Sequence, residues 1–328
     1  MHNRERFNAI LNFQPVDRMP VIEPFTWWDL TIDRWRSEGL PEGIDLFDYF
    51  GLDKHVQMWI GPGPEDNPEG EEGKGWDVPS IDEYAEVMKY LYPRQAFDAE
   101  KVNQLKSPHN AGEIFFWITV EGFFWWPRVL FGIEKHLYAF YDNPELMHKV
   151  ISDLLAYNKR VIAEVCEMDI PDFITIAEDM SYRSGSMIGK KLFDEFMKPY
   201  YLELVAAAKE CGIRKVFVDT DGEFYRLVPW FHDECGVDGF VPCERQAGMD
   251  LAELRKRHPK LNIIGGFDKM KMSGGEDEMR AEFEHALPAL KTGGIILGTD
   301  HQTPPEVSLE EYKRYVGMLK EYAGKLGI

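Results

Sequence analysis

Short apolar runs recur along the chain, and most of them end at an acidic residue or at another residue that can bind a metal. In the second half these runs are residues 173–179 (FITIAED), 215–222 (KVFVDTDG), 239–244 (GFVPCE) and 293–301 (GGIILGTDH). Runs of this length bounded by Gly, Asp or Glu are typical of strands buried on both faces of a parallel sheet. The stretches between them, roughly 20–40 residues, can each hold a helix, which predicts repeated βα units.

Four further runs fit the same template: residues 19–25 (MPVIEPF), 55–61 (HVQMWIG), 114–122 (IFFWITVEG) and 261–268 (LNIIGGFD). Eight strands in 328 residues predict a single α/β domain over residues 1–328, a (β/α)₈ TIM barrel. An open doubly wound sheet is the alternative. Against it, no G-x-G-x-x-G follows a first strand, and polar strand ends continue to the last strand.

One segment departs from this alternation of predicted strands and helices. Residues 61–75 (GPGPEDNPEGEEGKG) are rich in Gly, Pro and acidic residues, which predicts an exposed loop after the second strand. In a barrel this loop would lie on the active-site face, so a lid and a plain solvated insertion are both open interpretations.

Ionisable side chains are expected to gather at one end of the barrel. The C-terminal ends of barrel strands face a common mouth, where the chemistry of such enzymes takes place. The residues expected there are Asp179, Asp219, Asp221, Glu244, Asp300 and His301. This pattern indicates an enzyme that acts on a small molecule.

Charge and cysteine usage exclude several partners. The chain has 37 Lys and Arg against 57 Asp and Glu, a formal charge of −20, and such a field repels nucleic acids and anionic membranes. The four cysteines form no C-x-x-C pair, and neither a signal core nor an 18-residue apolar run is present. We expect a cytoplasmic protein with reduced thiols. The oligomeric state stays open, a homodimer included.

The second half resembles a known family. The likeness is carried by residues 177–212, 218–224, 242–268 and 293–312, and the opening residues 4–21 and 38–53 resemble the starts of decarboxylase-like members of unassigned activity. Together they are similar to the uroporphyrinogen decarboxylase superfamily. The resemblance implies a single (β/α)₈ barrel and two classes of activity: the haem-pathway decarboxylase and corrinoid-linked methyltransferases.

The decarboxylase class needs arginines to pair a substrate with eight carboxylates. In that class they belong to an R-Q-A-G-R-Y motif near the first strand. Here the first strand and its exit read MPVIEPFTWWDL, with Glu23 and two tryptophans in that region. Arg245 opens a similar string, but after the sixth strand and followed by Met249 and Asp250. Decarboxylation of a different carboxylated substrate therefore stays as the alternative function.

The methyltransferase class binds zinc through an H-x-C motif after the fifth strand and a Cys after the eighth. The matching positions are Asp219, Asp221 and His301, and Glu244 matches an acidic position near the metal. Three oxygen ligands and one imidazole can bind zinc or another divalent ion, and without a thiolate the site would be more electrophilic. The alternative is that Asp219 and Asp221 only cap the segment that follows. The resemblance also implies that a separate partner protein carries the cobamide (cobalamin-type) cofactor.

Further candidates follow the fourth strand. Glu178 and Asp179 close it, where one is predicted to act as general base and the other to hold a backbone turn. Tyr182 and Arg183 lie on the same loop and could fix an oxyanion or carboxylate of the substrate; a structural Arg–Asp pair is the alternative. The predicted function is a corrinoid-dependent methyltransferase component that moves a methyl group between a small substrate and a cobamide carrier.

Overall fold

The computed structural model describes residues 1–63 and 80–327. Its centre is a curled sheet of seven parallel strands in the order in which they occur in the chain. These are β1 (His55–Ile60), β2 (Phe115–Glu121), β3 (Phe173–Ala177), β6 (Val216–Asp219), β7 (Gly239–Val241), β8 (Asn262–Ile264) and β9 (Ile295–Ile296). A separate antiparallel hairpin pairs β4 (Ser181–Tyr182) with β5 (Gly185–Ser186). Because the strand order never reverses, the doubly wound alternative is wrong.

Helices alternate with the strands. They are α1 (Asn3–Leu11), α2 (Asp29–Ser37), α3 (Leu46–Phe50), α4 (Ile81–Val87), α5 (Ala99–Asn110), α6 (Trp125–Phe131), α7 (Ile133–Asp142), α8 (Pro144–Met168), α9 (Lys190–Leu192), α10 (Lys198–Glu210), α11 (Leu251–Arg257), α12 (Glu276–Leu290) and α13 (Leu309–Gly324). Short 3₁₀ turns (Met88–Tyr90, Arg245–Ala247, Lys269–Lys271) and π turns (Phe193–Met197, Pro229–Asp233) complete the connections. Helix α13 begins with a capping box between Ser308 and Glu311. In the described parts of the chain, no helix is both long and apolar enough to cross a membrane.

Seven of the eight predicted strands are confirmed, each with its ends shifted by a few residues. The prediction for residues 19–25 is wrong, because this segment forms no strand. Pro20 and Pro24 have no N–H to donate to a ladder. The backbone groups of Val21 bind Asp53 instead of a neighbouring strand. Val21 N donates to the Asp53 carboxylate at 2.9 Å, and Val21 O accepts from Asp53 N at 2.7 Å.

The 19–25 segment nevertheless spans the space between the two edge strands of the sheet. At one end Val21 contacts Asp53, two residues before β1, and at the other Leu297 N, just after β9, approaches Met19 Sδ at 3.3 Å. A hydrogen-bonded eighth strand is absent from the described ranges. The sheet is therefore a curled α/β half-barrel, and the 61–75 loop prediction falls largely on residues outside those ranges.

Aromatic rings fill the N-terminal end of the space inside the sheet. Phe7 from α1 stacks on Phe115 with ring centroids 3.9 Å apart, and Trp117 stacks on Phe173 at 4.9 Å. All four side chains are buried. This packed floor leaves an open space only toward the C-terminal ends of the strands.

Candidate functional site

A cavity of about 360 Å³ opens at the C-terminal ends of the strands, inside the curled sheet. Aromatic and aliphatic side chains form most of its wall. The polar lining residues are Thr26, Gln57, Thr175, Asp179, Asp219, Asp221, His301 and Gln302. Among the described lining residues there are three aspartates and one histidine, but no lysine or arginine. The walls of the cavity are therefore mostly apolar, and its ionisable groups are mostly acidic.

The strands bring these four ionisable side chains together. Asp219 is the last residue of β6, where it pairs with Ala177 of β3 and Val241 of β7. Asp179 and Asp221 lie two residues beyond the ends of β3 and β6, and His301 lies in the loop after β9. Parallel strands present their C-terminal ends on one side, which explains why residues so distant in sequence share one cavity.

Asp219 lies in a strongly desolvated position. Its carboxylate makes no hydrogen bond with any described residue, and its remaining accessible surface faces the cavity. Burial raises the pKa of Asp219 well above its usual range, and the charges of Asp179 and Asp221 raise it further. A carboxyl group in this state either holds a proton or needs a positive partner.

Asp179 and Asp221 form the acidic rim next to it. Burial is the main cause that raises the pKa of Asp221 to about 7, followed by repulsion from Asp179 and Glu244. Burial also raises the pKa of Asp179, against a hydrogen bond from Asp221 N at 3.4 Å. Asp179 has a φ of 40°, a left-handed conformation that costs a non-glycine residue about 1–3 kcal/mol and is often kept at functional sites.

His301 contacts this rim from the opposite side. Its Nε2 lies 3.7 Å from Asp221 Oδ2, and its ring stacks on Phe25 with centroids 5.8 Å apart and planes 7° from parallel. Burial lowers the pKa of His301, and the nearby Lys269 charge lowers it further. The imidazole is therefore neutral at pH 7 and can accept or relay a proton.

Glu178 has a different environment from its neighbour. It is fully buried, and its carboxylate accepts hydrogen bonds from Phe123 N (2.9 Å), Phe124 N (2.7 Å), Trp125 N (3.2 Å) and Tyr201 OH (2.5 Å). Burial raises the pKa of Glu178 to about 7 although these donors pull it down. Glu178 is absent from the lining and holds the turn that starts α6. Of the two carboxylates predicted for this strand end, the structure places only Asp179 in the cavity.

Tyr182 and Arg183 lie on the β4–β5 hairpin, outside the cavity lining. Both are exposed, Tyr182 to 64%. The hairpin itself is held by a hydrogen bond from Glu223 N to Tyr182 O at 3.0 Å. As placed, neither side chain contacts the space in which a substrate would lie.

The other two predicted acids brace loops behind the cavity. Glu244 accepts a hydrogen bond from Gly222 N at 2.8 Å. Asp300 accepts from Arg245 N at 3.0 Å and pairs with the Lys269 ammonium at 3.2 Å. Burial raises the pKa of Asp300 to about 6, with the Lys269 charge acting against it.

The predicted metal ligands do not meet the requirements of a zinc site. Zinc needs three or four donors at about 2 Å from one point. The donor types of Asp219, Asp221, Glu244 and His301 suit a divalent ion, but His301 Nε2 lies 3.7 Å from Asp221 Oδ2, and the Glu244 carboxylate accepts a hydrogen bond from Gly222 N. Within the described ranges no group of three or more Asp, Glu, His or Cys side chains could hold a metal. As placed, these residues do not fit a zinc centre.

The sequence interpretation missed a polar layer on the first strands. Gln57 Nε2 donates to Thr119 Oγ1 at 2.8 Å, and Thr119 and Thr175 share a hydrogen bond of 2.6 Å. It also missed Glu121, the last residue of β2, whose pKa burial raises to about 7 and whose Oε2 has no described partner. The sequence does contain the pattern that points to Glu121, because it is an acidic residue at the end of a strand, as Asp179 and Asp219 are.

Comparisons with known proteins place the chain in a family. The uroporphyrinogen decarboxylase (URO-D) family model matches residues 128–322, more than half of the chain. The chain therefore belongs to the uroporphyrinogen decarboxylase family, as the sequence motifs predicted. A search of curated proteins found no match.

A solved methyltransferase structure has the same fold. A methyltransferase from Methanosarcina mazei superposes with a TM-score of 0.65 and 16% identity, over 98% of this chain and 99% of that chain. A D-psicose 3-epimerase from Clostridium cellulolyticum gives a TM-score of 0.47 and 12% identity, over 87% of this chain and 95% of that chain. At 16% identity the likeness to the methyltransferase shows the fold alone, and the looser superposition on the epimerase carries no argument.

Proposed function

We propose that this protein is the substrate-binding component of a methyl-transfer system, which moves a methyl group between a small molecule and a corrinoid carried by a separate protein. The observation that carries the proposal is the cavity: three aspartates and a neutral histidine face a space of about 360 Å³ with aromatic walls. Family membership and the fold shared with a methyltransferase support it. We further propose that residues 19–25 take the eighth position of a (β/α)₈ barrel around this cavity.

The lining argues against decarboxylation of a tetrapyrrole. The described lining residues include no arginine or lysine that could pair with substrate carboxylates. Asp179, Asp219 and Asp221 would repel a polyanion instead. A volume of about 360 Å³ lies at the lower end of the range for small-molecule sites, about 300–1,000 Å³.

The side chains that line the cavity can assist the cleavage of a bond between a methyl carbon and an oxygen or nitrogen atom. When the methyl group is on a neutral oxygen or nitrogen, the leaving group becomes a basic anion and needs a proton. Asp219, which is desolvated and makes no hydrogen bond with a described residue, would give that proton. The neighbouring pair of Asp221 and His301 would then return a proton to Asp219. When the methyl group is on a cationic nitrogen, the same carboxyl groups ionise and hold the charge. The nucleophile in both cases is a cobalt(I) corrinoid on the partner.

Decarboxylation of another substrate stays the second candidate because of one observation. A buried carboxylic acid with a raised pKa, as Asp219 is, can protonate the carbanion that remains after carbon dioxide leaves. This route needs a substrate carboxylate that tolerates an acidic cavity.

A spectral assay separates the two functions. Cobalt(I) and methylated cobalamin absorb differently, so the purified protein is mixed with free cobalt(I) cobalamin and a panel of methyl ethers, methylated amines and methylated thiols. We expect methylcobalamin to form with at least one donor, and the Asp219→Asn variant to lose most of the rate. The exposed Glu310→Gln variant is the matched control and should keep it. Carbon dioxide release from a carboxylated substrate without any methyl transfer would refute the proposal.

A further inference from the structure

The acidic side chains of the cavity have no cationic partner among the residues that the structure describes. Asp179 and Asp219 form no ion pair with any described residue, and Asp221 has only the neutral His301. Arg128 is close, but its Nη1 donates to the backbone oxygen of Asp179 at 3.4 Å. The ammonium of Lys269, the other nearby cation, pairs with Asp300. The charge of the cavity is therefore left for a ligand to balance.

The Asp219 carboxylate is the clearest case, because it lines the cavity and has neither an ion pair nor a hydrogen bond with any described residue. Groups buried in this way destabilise a fold unless a partner is supplied, and proteins keep them mainly where they bind something. A metal ion is one partner, but the donors around Asp219 are not gathered as a metal requires. An organic cation needs no such geometry, because its charge is spread over several C–H groups.

The aromatic walls suit that kind of cation. Trp59, Trp117 and Trp125 line the cavity together with Phe25 and Phe173. Ring faces attract cations, and tryptophan does so most strongly. Trp125 already has one cation over its ring, the Arg128 guanidinium, at 4.8 Å. The methyl groups of a quaternary ammonium would also bury apolar area against these rings.

We infer that the small substrate of this cavity is a methylated ammonium compound, with its cationic nitrogen held among the tryptophan rings and next to Asp219, Asp179 and Asp221. This inference rests on the proposed methyl transfer and names its substrate class. Neutral aryl ethers match the rings but leave the three carboxylates unpartnered. A carboxylated substrate would add negative charge to a cavity that already holds three carboxyl groups.

The chemical step balances without a proton donor. The bond between the methyl carbon and the cationic nitrogen breaks, and its electron pair stays on nitrogen. The methyl carbon forms a new bond with the cobalt(I) nucleophile of the partner. The amine leaves as a neutral molecule, so the attraction that held the cation in the acidic cavity is lost and product release is favoured.

Binding experiments with a matched pair of probes test this inference. Choline and 3,3-dimethyl-1-butanol have the same shape, but only choline carries a charge. We expect isothermal titration calorimetry, on protein dialysed against a chelator, to give a Kd for choline at least about tenfold lower than for the neutral isostere. Tetramethylammonium should compete with choline, and Trp59 or Trp125 fluorescence should change on binding.

Variants assign the binding to the named side chains. Asp219→Asn should weaken choline binding about tenfold or more and leave binding of the neutral isostere unchanged, because only the charge term is removed. Trp59→Leu should weaken both probes, since it removes ring contacts as well. Glu310→Gln, an exposed acid on α13, should change neither Kd. Circular dichroism checks that each variant is folded.

The outcomes separate the inference from the proposed function. Equal affinity for both probes would overturn the inference, and so would one tightly bound zinc ion per chain that excludes choline. Methyl transfer from neutral ethers, unaffected by choline, would overturn the inference while the proposed function stands. Choline binding without transfer of any methyl group to cobalamin would leave the cation site standing and refute the proposed function.

Discussion

Asp219→Asn is expected to make the free protein more stable while it removes function. The substitution keeps the shape of the side chain and removes its charge. In the folded protein the Asp219 pKa lies well above its unfolded value of 3.8, so the folded state binds the proton more tightly than the unfolded chain does. The contribution of this tighter proton binding to the free energy of unfolding is fully present below about pH 4. It is lost as the pH rises through the folded pKa.

The magnitude follows from the linkage between protonation and folding. Each unit by which the folded pKa exceeds the unfolded pKa costs the ionised protein about 1.4 kcal/mol at high pH. The Asp219 side chain keeps some accessible surface toward the cavity, so we expect a gain of only about 1–2 kcal/mol for Asp219→Asn at pH 8. For a chain of this size, the midpoint of thermal unfolding should rise by about 2–6 °C.

Thermal unfolding followed by far-ultraviolet circular dichroism, from pH 4 to pH 8 in a chelator, measures the effect. Wild type and Asp219→Asn should coincide near pH 4 and separate as the pH rises. Asp221→Asn is the matched control: its pKa is raised to about 7, but its side chain is 41% exposed, so its gain should be smaller. An Asp219→Asn variant less stable than wild type at pH 8 would refute the reasoning, because the ionised carboxylate would then be compensated within the protein.

Three further predictions concern the supports of the site and its ion content. Glu178→Ala leaves four buried donors without their acceptor and should lower the free energy of unfolding by about 3–5 kcal/mol in urea denaturation, whereas a loss below about 1 kcal/mol would show that the turn does not depend on it. Gly122→Ala places a Cβ into the Glu178 carboxylate and 2.5 Å from Ala177 O, so a loss of about 1–3 kcal/mol is expected in the same assay, and an unchanged midpoint would contradict this. Protein purified without chelators should contain well under one divalent ion per chain by mass spectrometry, since among the described residues no three acidic, His or Cys side chains are arranged to hold a metal; one ion per chain that disappears in His301→Ala would instead establish the predicted metal site.

The strands could be predicted from the sequence because a buried parallel strand leaves a local signal. A short apolar run with a polar end suffices to mark β2, β3 and β6, and the chain order then determines the sheet order. The one failure, residues 19–25, is an apolar run too, but Pro20 and Pro24 remove the N–H groups that a strand requires. Its apolar residues indicate that the segment is buried. They do not distinguish a strand from an irregular segment, because both can be buried against the sheet.

The gathering of acids at the cavity was likewise determined by sequence. Asp179, Asp219, Asp221 and His301 follow strands of one parallel sheet, and that topology brings strand ends to one side whatever the loops do. The same reasoning could not tell which acids point inward. Glu244 lies three residues beyond β7 and Asp221 two residues beyond β6, yet the Glu244 carboxylate accepts a hydrogen bond from Gly222 N.

Only the tertiary structure decided between Glu178 and Asp179. The left-handed backbone at Asp179 redirects the chain after β3, so the alternation of a strand no longer predicts side-chain direction. Glu178 is then fixed by donors from β2–α6 and from α10, namely Phe123, Phe124, Trp125 and Tyr201. Sequence spacing determines which residues reach the end of a strand. The hydrogen bonds and charges that decide their roles come from segments distant in the chain, and those segments meet only when the sheet has curled.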